Sequence, residues 1–155
     1  MKKLNILYAM IILCLTYSIT THAQSNSNIE AGVRFGDNTG IDATIPLGIS
    51  PRLHPTVYLD YFGVGTYFDW MFALTDGPEG LKFYPGVGPE FFFENDFDFN
   101  IAGNFGVEYS FKFPLTIGFD WRPGFAVTND FDFYTSNWGI MARYRFKEGG
   151  FKRVD

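Results

Sequence analysis

Apolar and polar residues alternate at a period of two along most of this chain. The clearest window opens at Phe97. Its odd positions read Phe97, Phe99, Ile101, Gly103, Phe105, Val107, Tyr109 and Phe111, and its even positions read Asp98, Asn100, Ala102, Asn104, Gly106, Glu108, Ser110 and Lys112. Successive side chains of a strand point to opposite faces, so the window predicts one long strand with an aromatic face and a polar or small face. The same alternation recurs in Ile29–Phe35, Ile41–Leu47, Leu53–Tyr61, Val64–Leu74, Leu81–Phe91, Leu115–Phe125 and Trp138–Phe146. Turn-forming residues separate these segments, most clearly Gly36-Asp37-Asn38 and Asp76-Gly77-Pro78-Glu79-Gly80.

The pentapeptide Asn-Asp-Phe-Asp-Phe occurs twice, at Asn95–Phe99 and Asn129–Phe133. The spacing of the copies equals the length of a common helical repeat, but glycine, proline and the two-residue period exclude paired helices. The spacing fits one hairpin instead. Eight strands without room for a helix predict an all-β fold, an eight-stranded antiparallel up-and-down β-barrel. After the second copy the aromatic parity shifts from Phe131 and Phe133 to Trp138, which predicts a bulge or loop around Tyr134–Asn137.

Volume decides which face points inward. An eight-stranded barrel is only just wide enough for side chains to fill it, and the aromatic face carries too many large rings to fit. The other face holds glycines such as Gly65, Gly106, Gly118 and Gly139, which have little use against water but make room in a crowded lumen. The aromatic face is therefore expected to meet lipid. The lumen face then carries Glu30, Arg34, Asp42, Asp60, Asp69, Lys82, Glu90, Glu108, Asp120, Arg122, Arg143 and Arg145. Isolated charges in a low-dielectric interior are prohibitive, so these are expected to form a cross-barrel ion-pair network that plugs the lumen.

The first residues change the reading of location. Lys2 and Lys3 precede an apolar run, Leu4–Leu15, and Thr21-His22-Ala23 offers a small-residue cleavage site before Gln24. This is the layout of a secretory signal peptide at residues 1–23. The run falls short of the roughly 20 apolar residues a membrane helix needs. Cys14 is a poor lipidation site, because Leu13 stands where a small residue is wanted. The remainder reads as a short segment at 24–28, the barrel at 29–146 and a periplasmic tail at 147–155.

Removal of residues 1–23 takes away Lys2, Lys3 and Cys14, which moves the formal net charge from −5 to −7 and leaves a chain without cysteine. An exported chain without disulfides must be held together by other means. Acidic balance without a basic cluster argues against nucleic acid. Aromatic residues make up 20% of the sequence, more than an ordinary small core needs, which fits a ring-covered exterior.

The last strand, Trp138–Phe146, alternates Trp138, Ile140, Tyr144 and Phe146 with small or charged residues and ends on an aromatic ring. It resembles the C-terminal insertion signal of Gram-negative outer-membrane barrels. The wider pattern, from Ile29 to Phe146, is similar to the small eight-stranded barrels of the outer-membrane protein A transmembrane-domain and outer-membrane protein X type. The resemblance implies both termini in the periplasm, residence in the outer membrane of the cell envelope after Sec export, outer-membrane lipid as surroundings, and a barrel-assembly machinery that reads the last strand. Two features depart from that family. Residues Lys147–Asp155 follow the terminal aromatic residue, and the outer loops are short, which weakens a receptor or adhesin role.

Catalysis and metal binding find little support in the sequence. Nucleophilic chemistry needs a hydroxyl beside an oriented base, and the one histidine after the signal, His54, reads as an exposed turn residue between Leu53 and Pro55. With no cluster of His and Cys, neither a transition-metal site nor any cofactor is expected. Asp96 and Asp130 of the repeated pentapeptides are a weak calcium candidate, set against a simpler role of Asn-Asp in turns. The expectation is a structural outer-membrane barrel without catalytic activity. A surface-binding module that holds a protein or lipid partner is the alternative, with a lipid-modifying enzyme behind it.

Overall fold

A strand that is apolar on one face and charged on the other can hide only one of them, and curling the sheet onto itself hides that face all round. The structure, a computed structural model, describes residues 28–74, 76–93, 97–128 and 131–146. Its strands are β1 (Glu30–Gly36), β2 (Gly40–Pro46), β3 (Pro51–Tyr58), β4 (Gly63–Trp70), β5 (Phe72–Ala73), β6 (Leu81–Phe92), β7 (Asp98–Ser110), β8 (Leu115–Trp121), β9 (Gly124–Ala126), β10 (Phe133–Tyr134) and β11 (Trp138–Arg145). Each pairs antiparallel with its neighbour, and β11 returns to β1 in register from Glu30↔Arg145 to Gly36↔Gly139. β5 prolongs the line of β4, β9 that of β8, and β10 leads into β11. The result is a closed, eight-stranded, antiparallel up-and-down barrel.

Prolines account for several breaks in the ladders. Proline has no N–H to give, so it is tolerated in a sheet only where pairing is interrupted. Pairing of β2 with β3 skips the Ala43 and Thr44 level, which faces Pro55 and His54. Pairing of β4 with β6 skips Thr66 and Tyr67, opposite Pro89 and Gly88, and the gap at Met71 between β4 and β5 lies beside Pro85. Arg122 and Pro123 separate β8 from β9. The shift foreseen near Tyr134–Asn137 is an interruption at Thr135–Asn137, bridged by Arg122 N–H donating to Asn137 O at 2.8 Å and Trp121 Nε1 to Thr135 O at 2.7 Å.

Polarity is inverted relative to a water-soluble core. Among the described residues the buried apolar or aromatic side chains are Tyr58, Tyr67, Tyr84, Ala102, Pro123 and Met141, while arginines, carboxylates, a histidine, threonines and asparagines fill the rest of the interior. The outer wall is the reverse. Val33, Ile41, Val57, Val64, Val87, Ile101, Phe105, Val107, Ile117, Phe119 and Ile140 are all exposed, and they come from every side of the barrel.

Glycine makes room for the large polar side chains within. A Cβ on Gly139 would run into the Arg34 guanidinium, and one on Gly106 into the ring of Tyr84. Gly80 has a different role. Its φ of 98° lies in the left-handed region that L side chains avoid, where it lets the β5–β6 turn close.

Candidate functional site

The interior is built in three levels, each set by strand register. Turns after β1, β3, β6 and β9 lie at one end, and the chain enters and leaves at the other. At the turn end, Arg34 of β1 meets Asp120 of β8 through Nε at 2.9 Å and Nη2 at 2.7 Å. Its remaining donors go to Asn137 Oδ1 at 3.0 Å and the Asn38 carbonyl at 2.8 Å, which ties the guanidinium to the β1–β2 turn. Beside it Glu90 of β6 gathers three phenols. Oε1 accepts from Tyr58 at 2.8 Å and from Tyr67, and Oε2 accepts from Tyr134 at 2.6 Å.

The middle level centres on His54 of β3. Its Nε2 stands 2.7 Å from Asp42 Oδ1 and its Nδ1 stands 2.7 Å from Asp69 Oδ2. Arg122 reaches down to this level, with Nε 2.9 Å from Asp120 Oδ2, Nη1 3.0 Å from Thr56 and from Tyr58, and Nη2 3.4 Å from Asp42. Asn104 donates to Asp69 Oδ1 at 2.8 Å. A carboxylate buried here is satisfied from several strands at once, which is the condition for keeping its charge out of water.

At the end where the chain enters, Arg143 of β11 binds Asp42 at 2.9 Å, Glu30 at 3.2 Å and Glu108. Arg52 of β3 binds Asp69 at 3.0 Å and Glu108 at 2.8 Å, and its guanidinium lies 4.3 Å above the Tyr84 ring. Arg145 stands 3.6 Å from Glu30 and donates to the carbonyls of Phe111 and Leu115 in and beside the β7–β8 turn.

Of the residues proposed for the lumen, Glu30, Arg34, Asp42, Asp69, Glu90, Glu108, Asp120, Arg122 and Arg143 are buried together inside. Lys82 and Arg145 face the interior at its open end and are half-buried. Asp60 needs correction. The third strand stops at Tyr58, so Asp60 sits in the exposed β3–β4 turn, where it accepts the Thr39 N–H at 2.7 Å. His54 needs a larger one, because it is fully buried at the centre of the network and not in an exposed turn.

Arg52, His54, Tyr58 and Tyr67 escaped the sequence reading of the lumen, whereas Asn104 lay on the polar face assigned to it. The signal for the first three was present, since outward Leu53 and Val57 send positions 52, 54, 56 and 58 inward. Proline at 51 and 55 read as a turn and masked it. Trp138, Ile140, Tyr144 and Phe146 stand on the outer face, and Trp138 stacks on Trp121 at 5.3 Å and on Phe119 at 5.5 Å between ring centroids.

Asp96 and Asp130 lie outside the described residues. In the second pentapeptide Asp132 accepts the Phe133 N–H at 2.9 Å, the local bond of a turn residue. Among the described residues no group of three or more His, Cys, Asp or Glu is arranged to hold a metal ion.

Fold and interior together define a class: a closed eight-stranded barrel with a charged, side-chain-filled lumen and an apolar exterior. Compared with known proteins, the chain matches no family model, no curated protein and no solved structure.

Proposed function

We propose that this chain is a small structural outer-membrane barrel, plugged by its own side chains and without catalytic activity. The observation that carries the reading is the outer wall. Not one outward-facing strand position bears a charge, from Ala31, Val33 and Phe35 on β1 round to Ile140, Ala142 and Tyr144 on β11. Soluble monomers rarely leave an apolar patch beyond a few hundred Å² uncovered, whereas this one encircles the molecule. A hydrocarbon solvent matches such a wall, and a closed barrel is the one sheet that leaves no unpaired edge within it.

The plugged interior supports the structural part of the proposal. Both ring nitrogens of His54 face carboxylates, and among the described residues neither is hydrogen-bonded to a hydroxyl that it would activate. Arg34, Arg52, Arg122 and Arg143 cross the lumen at successive levels, which opposes a wide aqueous path. On this reading residues 1–23 direct export, the assembly machinery recognises the last strand, and both termini remain in the periplasm.

The test is folding in detergent. The chain from Gln24 is expected to need micelles or bilayers to stay dispersed, and its unboiled form should migrate differently from the boiled form on a gel. A monodisperse monomer in plain buffer would sink the proposal.

A further inference from the structure

The end of the barrel where the chain enters opens into a cavity of about 870 Å³ whose lining includes Arg52, Lys82, Lys112 and Arg145. We propose that this vestibule binds a phosphate group, free or carried on a lipid, between Arg52 and Lys82.

The donors left over there carry the argument. Arg52 is 5% exposed and gives Nε to Asp69 and Nη1 to Glu108, yet its buried Nη2 has no hydrogen-bond partner. A buried guanidinium N–H without an acceptor costs free energy until an anion supplies one. Lys82 faces Glu108 directly across the β6–β7 ladder, so its side chain stands on the same wall as that pair. Neither Lys82 nor Lys112 makes an ion pair among the described residues.

Glu108 attracts Lys82 across the ladder without forming an ion pair with it, because its Oε2 already takes Arg52 and Arg143; Glu30 takes Arg143, Arg145 and the Thr116 hydroxyl. Glu79 is exposed in the β5–β6 turn. A guanidinium on β3, an ammonium on β6 and another in the β7–β8 turn line the same cavity. Cationic donors carried on separate elements suit an oxyanion with several oxygens, as phosphate has. The volume exceeds what an inorganic anion needs, and Ile49 and Leu74 at the mouth offer apolar surface for a group attached to it. This site stands on its own geometry and not on the membrane reading.

The test uses the full chain folded in a non-ionic, phosphate-free detergent, with binding followed by calorimetry. The probes are inorganic phosphate and dihexanoyl phosphatidic acid, each against chloride at matched ionic strength. Saturable binding is expected for one or both, and Lys82→Gln should weaken it by about tenfold, the effect of one charge-assisted hydrogen bond. Lys82 is half-buried at an open mouth, so the variant should fold, and its unchanged gel migration verifies that. Arg52→Lys, which keeps the charge but not the free Nη2, should weaken binding as well. Binding of the lipid alone identifies a headgroup site; binding of both identifies the phosphate group itself. No saturable binding of either probe, or equal affinity in Lys82→Gln, would overturn the proposal.

Discussion

His54 Nε2 lies 2.7 Å from Asp42 Oδ1, with its Nδ1 the same distance from Asp69 Oδ2, so one imidazole ties β2 to β4 across β3. The imidazole is thereby wedged between two buried carboxylates, with the Asn104 amide 3.0 Å from Nδ1. Replacing it with phenylalanine leaves two carboxylates facing an apolar ring. Removal of one partner from a buried charge cluster costs roughly 3–5 kcal/mol, which His54→Phe should lose in urea unfolding from micelles. An unchanged midpoint would show that the bridge contributes nothing.

Arg34 and Asp120 are 86 residues apart in sequence and paired through two guanidinium nitrogens. Asp120 also holds Arg122, so Asp120→Asn strips the carboxylate from two buried arginines at once. Its cost is expected to exceed that of Arg34→Met. The double variant should cost less than the sum of the singles by at least about 1 kcal/mol, the signature of residues in one network. Additive singles in a double-mutant cycle would separate the two residues.

Gly139 and Gly48 make a matched comparison. A Cβ at Gly139 strikes the Arg34 guanidinium, whereas one at Gly48 meets Pro51 at 3.7 Å, an ordinary contact. Gly139→Ala is therefore expected to destabilise the barrel by about 1–3 kcal/mol, as overpacking does. Gly48→Ala should stay within about 0.5 kcal/mol of the parent. Equal melting temperatures for the two variants would contradict the crowded-lumen account.

The outer wall has its own test. Ile117 is an exposed β8 residue flanked by Tyr109 and Ala142 in the neighbouring ladders. Ile117→Arg is expected to lose stability in bilayers, by up to roughly 2–4 kcal/mol, the cost of a cation on the lipid face that is largest at mid-membrane and falls toward the interfaces. The same variant carries no such cost on a water-facing surface. Folding yields into liposomes distinguish the two, and a parent-like yield would count against lipid around this wall.

Much of the barrel was legible because period two is a local property. Phe97–Phe111 announces its strand without reference to any other residue, and β7 occupies Asp98–Ser110. Parity also sorted Arg34, Asp120, Arg122 and Arg143 to the inner face. It failed where proline interrupted it. Pro51 and Pro55 read as turn residues, so Arg52 and His54 were left out of the lumen, although Pro55 occupies an outward position at a gap in the β2–β3 pairing. Asp60 failed for the opposite reason: parity was carried two residues past Tyr58, where the strand had already turned.

The sequence by itself determined that the chain is all-β, that it forms eight strands, and which face of each carries rings and which carries charge, because alternation and turn chemistry act between near neighbours. Partners were beyond its reach. That Arg34 meets Asp120, that one histidine bridges Asp42 and Asp69, and that Arg52 keeps a free Nη2 follow from the closure of β11 on β1 and from strand register. Register fixes contacts between residues as distant in sequence as Arg143 and Glu30, 113 positions apart, and no local pattern encodes such pairs.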